Sequence, residues 1–131
     1  MYDPDNAMAS YNLGKIYYET KQNDLSITYY EDALRLNPED SNAMVAIGII
    51  YFERRDFDNA ISYFNRAIEK GPRYGLAYYN RGTLLGQQHY YEESLDDLNL
   101  AALYSPEDSR VFMNRGMANY FLKDFFNVFD K

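Results

Sequence analysis

The chain has 131 residues, a net charge of −7 at pH 7 and no cysteine, so disulfides, thiolate chemistry and cysteine-ligated metals are excluded. Its acidity argues against a nucleic-acid surface, which needs clustered lysine and arginine, and no apolar run approaches the ~18 residues of a membrane span. The polar opening MYDPDNAMAS does not read as a signal peptide, which favours the cytoplasm while leaving the compartment open.

Taken in order, the chain reads as pairs of helices. A first helix over about 7–20 carries Gly14 in its middle, and a second over about 24–37 is ended by Pro38. The stretch PEDS at 38–41 places an acid or hydroxyl before a third helix, about 41–54, where free N–H groups need acceptors. Asp56 precedes a fourth over about 58–70, ended by Pro72; the fifth covers about 75–88 and the sixth about 92–104. A second PEDS, at 106–109, opens a seventh over about 109–122. Asp24, Asp56 and Asp124 are expected to cap the helices that follow the short turns. After Asp124 comes about one turn of an eighth helix, so that Phe125, Phe126, Val128 and Phe129 would have little to cover them.

The period is 34 residues. Glycines fall at 14, 48, 82 and 116 and the four prolines at 4, 38, 72 and 106. Sixteen residues after each glycine stand Tyr30, Phe64 or Leu98, and nineteen after, Ala33, Ala67 or Ala101. A glycine inside a helix costs about 1 kcal/mol against alanine. It is expected here because the paired helix crosses at that point, with Ala33, Ala67 and Ala101 as small partners. Tyr17, Tyr30, Tyr51 and Phe64 are expected in the core.

A 34-residue helix–turn–helix bearing L-G-x2-Y, then A-x3-F-x2-A and proline, resembles the tetratricopeptide repeat. YNLGKIYYE (11–19) carries the first half of that pattern and MVAIGIIYFERRDFDNAISYFNRAIEKGP (44–72) nearly all of it. The resemblance implies an all-α fold, a right-handed solenoid of helix–turn–helix units with three complete repeats and most of a fourth. The repeats would run over about 7–40, 41–74, 75–108 and 109–131 as a single array. The incomplete last repeat suggests a piece of a longer array, or ends that meet another copy.

One departure stands out inside the period. Leu13 and Ile47 precede the first two glycines, but Arg81 and Arg115 precede the others. Fifteen residues after the glycine, Tyr29 and Tyr63 give way to Asp97. Arginine at a half-buried position needs a carboxylate, so an Arg81–Asp97 pair is expected. The counterpart for Arg115 would be Lys131, which cannot serve.

In the resembled family the first helix of each pair lines a concave groove that takes peptides. Projection of its groove positions gives Tyr11, Asn12, Lys15, Ile49, Phe52, Tyr79, Asn80, Met113, Asn114 and Tyr120. Asn12, Asn80 and Asn114 would lie on one face, interrupted by Ala46. An amide both donates and accepts, so such a row could hold the main chain of an extended peptide; each amide could equally bond a neighbouring turn. The family's carboxylate clamp is not reproduced. Threaded from repeat one, its positions hold Tyr11, Lys15, Ala46, Leu76 and Asn80; threaded from repeat two, Val45, Ile49, Asn80, Arg110 and Asn114.

Catalysis has little support. His89, the only histidine, falls in a turn, and no phosphate loop, nucleophile elbow or metal spacing is present. No cofactor or metal is expected, and the chain is not read as an enzyme. The expected function is a protein–protein interaction scaffold that binds a peptide segment of a partner in the groove, without nucleic acid. The alternatives are an architectural segment that self-associates through the C-terminal aromatic stretch, and a substrate-delivery repeat domain of a larger enzyme.

Overall fold

A computed structural model describes the backbone of residues 4–129 and the side chains of residues 5–123. Among the described residues there are seven α-helices and no strand: α1 (Pro4–Glu19), α2 (Asn23–Leu36), α3 (Ser41–Glu53), α4 (Phe57–Lys70), α5 (Gly75–Gln87), α6 (Tyr91–Tyr104) and α7 (Ser109–Phe129). They form two compact units, Met1–Pro72 and Arg73–Lys131. In unit 1 α1 packs on α2, α2 on α3 and α3 on α4. In unit 2 α5 packs on α6 and α6 on α7.

The caps follow the sequence except at Asp24 and at Asp124, which lies inside α7. Asp40 accepts the amides of Asn42 and Ala43 at 3.0 and 3.3 Å, Asp56 that of Asn59 at 3.3 Å, and Asp108 that of Arg110 at 3.0 Å. Each satisfies an amide that has no partner within its helix. Asp24 does not cap: Gln22 holds the cap position of α2, and the Asp24 carboxylate meets Arg54 at 2.6 Å. Pro4 opens α1, where its missing N–H costs nothing. Pro38, Pro72 and Pro106 follow the residues that end α2, α4 and α6.

The three hairpin turns share one device that the sequence does not announce. Lys21, Arg55 and His89, spaced by the repeat, have left-handed backbones with φ of 62°, 61° and 70°. The next amide then folds back: Gln22 donates to the Tyr17 carbonyl, Asp56 to Tyr51 and Tyr90 to Leu85, at 2.8 to 2.9 Å. This closes the end of each first helix and reverses the chain.

α7 breaks the pattern. It runs through Asp124 to Phe129, where the sequence led us to expect a helix ending near 122 and a capped turn. Lys123 stands where Lys21, Arg55 and His89 stand, yet remains helical. Left-handed backbone costs roughly 1–2 kcal/mol for a non-glycine residue. A straight helix avoids that cost and keeps its hydrogen-bond ladder. The side chains of Asp124, Phe125, Phe126, Val128, Phe129 and Lys131, on which the expected aromatic end rests, lie outside the described residues.

The glycines do mark helix crossings, but their partners are not the alanines. A Cβ on Gly14 would lie 2.6 Å from the Tyr30 ring and one on Gly48 2.5 Å from the Phe64 ring. At Gly82 the nearest atoms belong to Asp97 and Leu98, at 3.1 Å, and at Gly116 nothing lies within 4 Å. The crossing thus brings the residue sixteen positions on, not nineteen, against the glycine. Ala33, Ala67 and Ala101 are fully buried beside the contact. The buried hydroxyls of Ser26 and Ser94 donate to the carbonyls of Gly14 and Gly82, each at 2.7 Å, and Ala60 has the same place in α4 without that bond.

Tyr30 and Phe64 are core residues. Tyr17 and Tyr51 are only half-buried: they stack on Tyr29 and Tyr63 with ring centroids 5.3 and 5.8 Å apart. In the third hairpin the stack positions hold Leu85 and Asp97, and Asp97 instead meets Arg81 through two hydrogen bonds of 2.7 Å.

Candidate functional site

In unit 1, α1 and α3 frame a cleft of about 300 Å³ that gathers Tyr11, Lys15 and Ile49 with Tyr18, Tyr30 and Ala46. Tyr11 leans on Tyr30 of the paired helix, centroids 5.4 Å apart. Burial raises the Tyr11 phenol pKa, and the Asp40 carboxylate adds to the effect. The Tyr18 phenol donates to the Glu53 carboxylate across the cleft. Burial, reinforced by Glu53, pushes its pKa up to about 12. Phe52 turns towards the start of α4 and meets Phe57 edge-on at 5.8 Å. Asn12 is exposed.

In unit 2 the amides are engaged within the fold. Asn80 Nδ2 donates to the Leu76 carbonyl of its own helix at 2.8 Å. Asn114 Nδ2 reaches from α7 to α5, donating to the Tyr79 hydroxyl at 3.2 Å and to Thr83 Oγ1 at 3.1 Å. Thr83 Oγ1 donates in turn to the Tyr79 carbonyl at 2.8 Å. The Arg110 guanidinium lies 4.8 Å from the Tyr79 ring centroid and is itself held by Asp108 at 2.8 Å. That pairing raises the Arg110 pKa and holds the Asp108 carboxyl below its usual range. Tyr79 is therefore clamped from two sides, whereas Met113 and Tyr120 on α7 are 68% and 67% exposed.

Unit 2 also holds a pocket of about 290 Å³ between α5, α6 and α7. Its floor is Gly82, Leu98 and Ala118, and Gly86, Met117 and Phe121 flank it. Gly86 is not among the groove positions named from the sequence. The signal was the single glycine at a position where Tyr18, Phe52 and Tyr120 stand in the other repeats.

Among the described residues no group of three or more histidine, cysteine, aspartate or glutamate side chains could hold a metal ion, and no helix is long and apolar enough to cross a membrane. His89 is exposed in its turn, with Nδ1 2.6 Å from the Tyr91 hydroxyl.

The tetratricopeptide repeat model matches residues 1–41, 11–75 and 45–107. No curated protein matches the sequence. Among solved structures, the first tetratricopeptide domain of Spaghetti (RPAP3), bound to the HSP90 peptide SRMEEVD, superposes with a TM-score of 0.86 at 20% identity. That match covers 93% of this chain and 97% of the other. The Arabidopsis OM64 domain gives 0.83 at 19% identity, over 89% and 97% of the two chains. The TPR2B domain of yeast Sti1, in complex with pHsp70, gives 0.80 at 21% identity, over 88% and 97%. At this identity the likeness is one of fold. Together with the helical hairpins, the glycine crossings and a family match across most of its length, it establishes that the chain belongs to the tetratricopeptide repeat family.

Proposed function

We propose that the chain is a protein–protein interaction module whose first helices, α1 and α3 in unit 1 and α5 and α7 in unit 2, offer binding faces to a peptide segment of a partner. The observation that carries this reading is the exposure of large apolar side chains on α7, with Met113, Met117 and Tyr120 all more than half accessible. Exposed methionine and tyrosine on one face favour partner contact over solvation. Tyr11, Lys15 and Ile49 around the unit 1 cleft, Phe52 on α3, and the clamped Tyr79 would add contact area. Asn12, Asn80 and Asn114 would read main chain through their remaining hydrogen-bonding capacity.

Two of the similar structures carry an HSP90 peptide and pHsp70, by their descriptions. The positions of the family's carboxylate clamp hold Tyr11, Lys15, Ala46, Leu76 and Asn80 here. A segment recognised by apolar contact and backbone, rather than by a terminal carboxylate, therefore suits this chain better. The reading assigns it no catalytic step.

Selection from a random peptide library on the immobilised chain tests this. Enriched peptides should bind Met113→Glu or Tyr120→Ala variants at least tenfold more weakly and the outer-face variant Glu93→Gln unchanged. No enrichment, or enrichment indifferent to all three substitutions, removes the reading. A second reading, self-association, is favoured by Phe112 and Phe121, which join the exposed side chains of α7. A mass that rises with concentration, and stops rising in the Met113→Glu variant, would support it.

A further inference from the structure

The two units carry the same site in two states. In unit 1 the Tyr18 ring starts on α1, lies beside Lys15, Tyr30, Ala46 and Ile49, and ends with its hydroxyl on Glu53 of α3. Two repeat lengths later the corresponding positions are Gly86, Thr83, Leu98, Asn114, Met117 and Phe121, and all six line the unit 2 pocket. Both sites leave open space, about 300 Å³ in unit 1 and about 290 Å³ in unit 2, but only in unit 1 does the chain's own ring line it at this position. A Cβ on Gly86 would point at the Ser94 hydroxyl, 3.1 Å away, which also lines that volume. An apolar cavity of roughly 150 Å³ is enough to hold a benzene ring.

We infer that the pocket between α5, α6 and α7 receives an uncharged aromatic side chain, phenylalanine or tyrosine, supplied by a bound peptide in place of the ring absent at Gly86. The walls suit a ring rather than an aliphatic chain. Tyr91 and Phe121 stack on each other, centroids 5.3 Å apart, and both border the pocket; a third ring can meet their edges. Met117 adds a thioether, which contacts aromatic rings favourably. The carboxylate that receives the Tyr18 phenol has no counterpart, because Phe121 stands where Glu53 does, so a hydroxyl is tolerated at the mouth and not required. Naming a peptide as the source of the ring rests on the interaction reading above; the aromatic preference of the pocket does not.

The test uses p-cresol, the tyrosine side-chain analogue, with cyclohexanol as aliphatic control, followed by NMR of the whole chain. p-Cresol should shift the resonances of Leu98, Met117 and Ala118 with a Kd on the order of 1 mM, and cyclohexanol should bind at least fivefold more weakly. Gly86→Phe, which supplies the ring from the chain itself, should abolish those shifts. Tyr18→Gly should open a second p-cresol site beside Tyr30 and Ile49, and it decides the matter if Gly86→Phe does not fold. No shift up to the solubility limit, equal binding of cyclohexanol, shifts that persist in a folded Gly86→Phe chain, or no new site in Tyr18→Gly each overturns the proposal. A chain that binds p-cresol but enriches no peptide keeps the pocket and loses the module reading; the opposite result does the reverse.

Discussion

Arg81 grips Asp97 with two parallel hydrogen bonds of 2.7 Å, Nε to Oδ2 and Nη2 to Oδ1, between the helices of the third hairpin. The Asp97 side chain is 6% exposed and that of Arg81 25%. Hydrogen bonding to Asp97 raises the Arg81 pKa despite its burial, so the guanidinium stays charged. The first two hairpins carry Leu13 with Tyr29 and Ile47 with Tyr63 at the equivalent positions.

This equivalence makes a sharp prediction. Arg81→Leu leaves the buried Asp97 carboxylate without its guanidinium and should cost about 3–5 kcal/mol; Asp97→Tyr takes both of these hydrogen bonds from the partly exposed Arg81 and should cost less. The double variant places at these positions the residue types that the first hairpin carries there and should recover most of that loss, because a buried ion pair exchanged for apolar side chains is often neutral or better. Urea unfolding of the four chains checks it. Additive losses would mean that the hairpin depends on some other property of these residues.

One substitution at four equivalent glycines should give a graded series. Gly48→Ala and Gly14→Ala push a methyl to 2.5 and 2.6 Å from the Phe64 and Tyr30 rings; overpacking of this kind costs about 1–3 kcal/mol. At Gly82 the 3.1 Å approach to Asp97 and Leu98 opposes a propensity gain of about 1 kcal/mol, leaving little net change. Gly116→Ala meets nothing within 4 Å and should stabilise by up to about 1 kcal/mol. Thermal melts that order the four differently would refute this account of the crossings.

Much of this was legible because the chain compares itself with itself. The glycine and proline spacing revealed the hairpins, and the joint change at Arg81 and Asp97 revealed their contact, since two departures at facing positions of one repeat imply each other. The partners of the glycines were misread: spacing shows which residues recur, but the crossing angle decides whether Leu98 or Ala101 meets Gly82. The left-handed turns were invisible because Lys21, Arg55 and His89 include neither the glycine nor the asparagine that marks such a helix end. The bonds of Asn80 and Asn114 depend on where Leu76, Tyr79 and Thr83 lie in space, which no periodicity reports. α7 continues past Lys123 without the left-handed residue that closes α1, α3 and α5, although Lys123 and Asp124 stand at the turn positions, and the sequence carries no mark of it.

The left-handed turns supply a third prediction. Lysine, arginine and histidine each lose roughly 1–2 kcal/mol there, and glycine does not, although it gains freedom in the unfolded chain. Lys21→Gly is the cleanest choice, since no side-chain hydrogen bond or ion pair involves Lys21 among the described residues. It should raise stability by a few tenths to about 1 kcal/mol, as Lys123→Gly within the continuous α7 should lower it by about 1 kcal/mol. Denaturant midpoints of the two variants should move in opposite directions.

The last prediction concerns alkaline pH. The Tyr18 and Tyr63 phenols both have pKa values pushed up to about 12, first by burial and then by their hydrogen bonds to the carboxylates of Glu53 and Glu31. Burial also raises Tyr30, which packs against Gly14. An ordinary tyrosine titrates near 10. Because the folded values lie above the unfolded one, the stability these phenols contribute is fully present below about pH 10 and is lost as pH climbs towards 12. Absorbance of tyrosinate in the native chain should therefore include a late group, absent in urea, and unfolding free energy should fall over the same window. Tyr18→Phe with Tyr63→Phe should shrink the late group and flatten that fall, because neither ring can then ionise or bond its carboxylate. A late group of unchanged size in the double variant would assign it to other tyrosines and leave the Tyr18–Glu53 and Tyr63–Glu31 contacts without influence on titration.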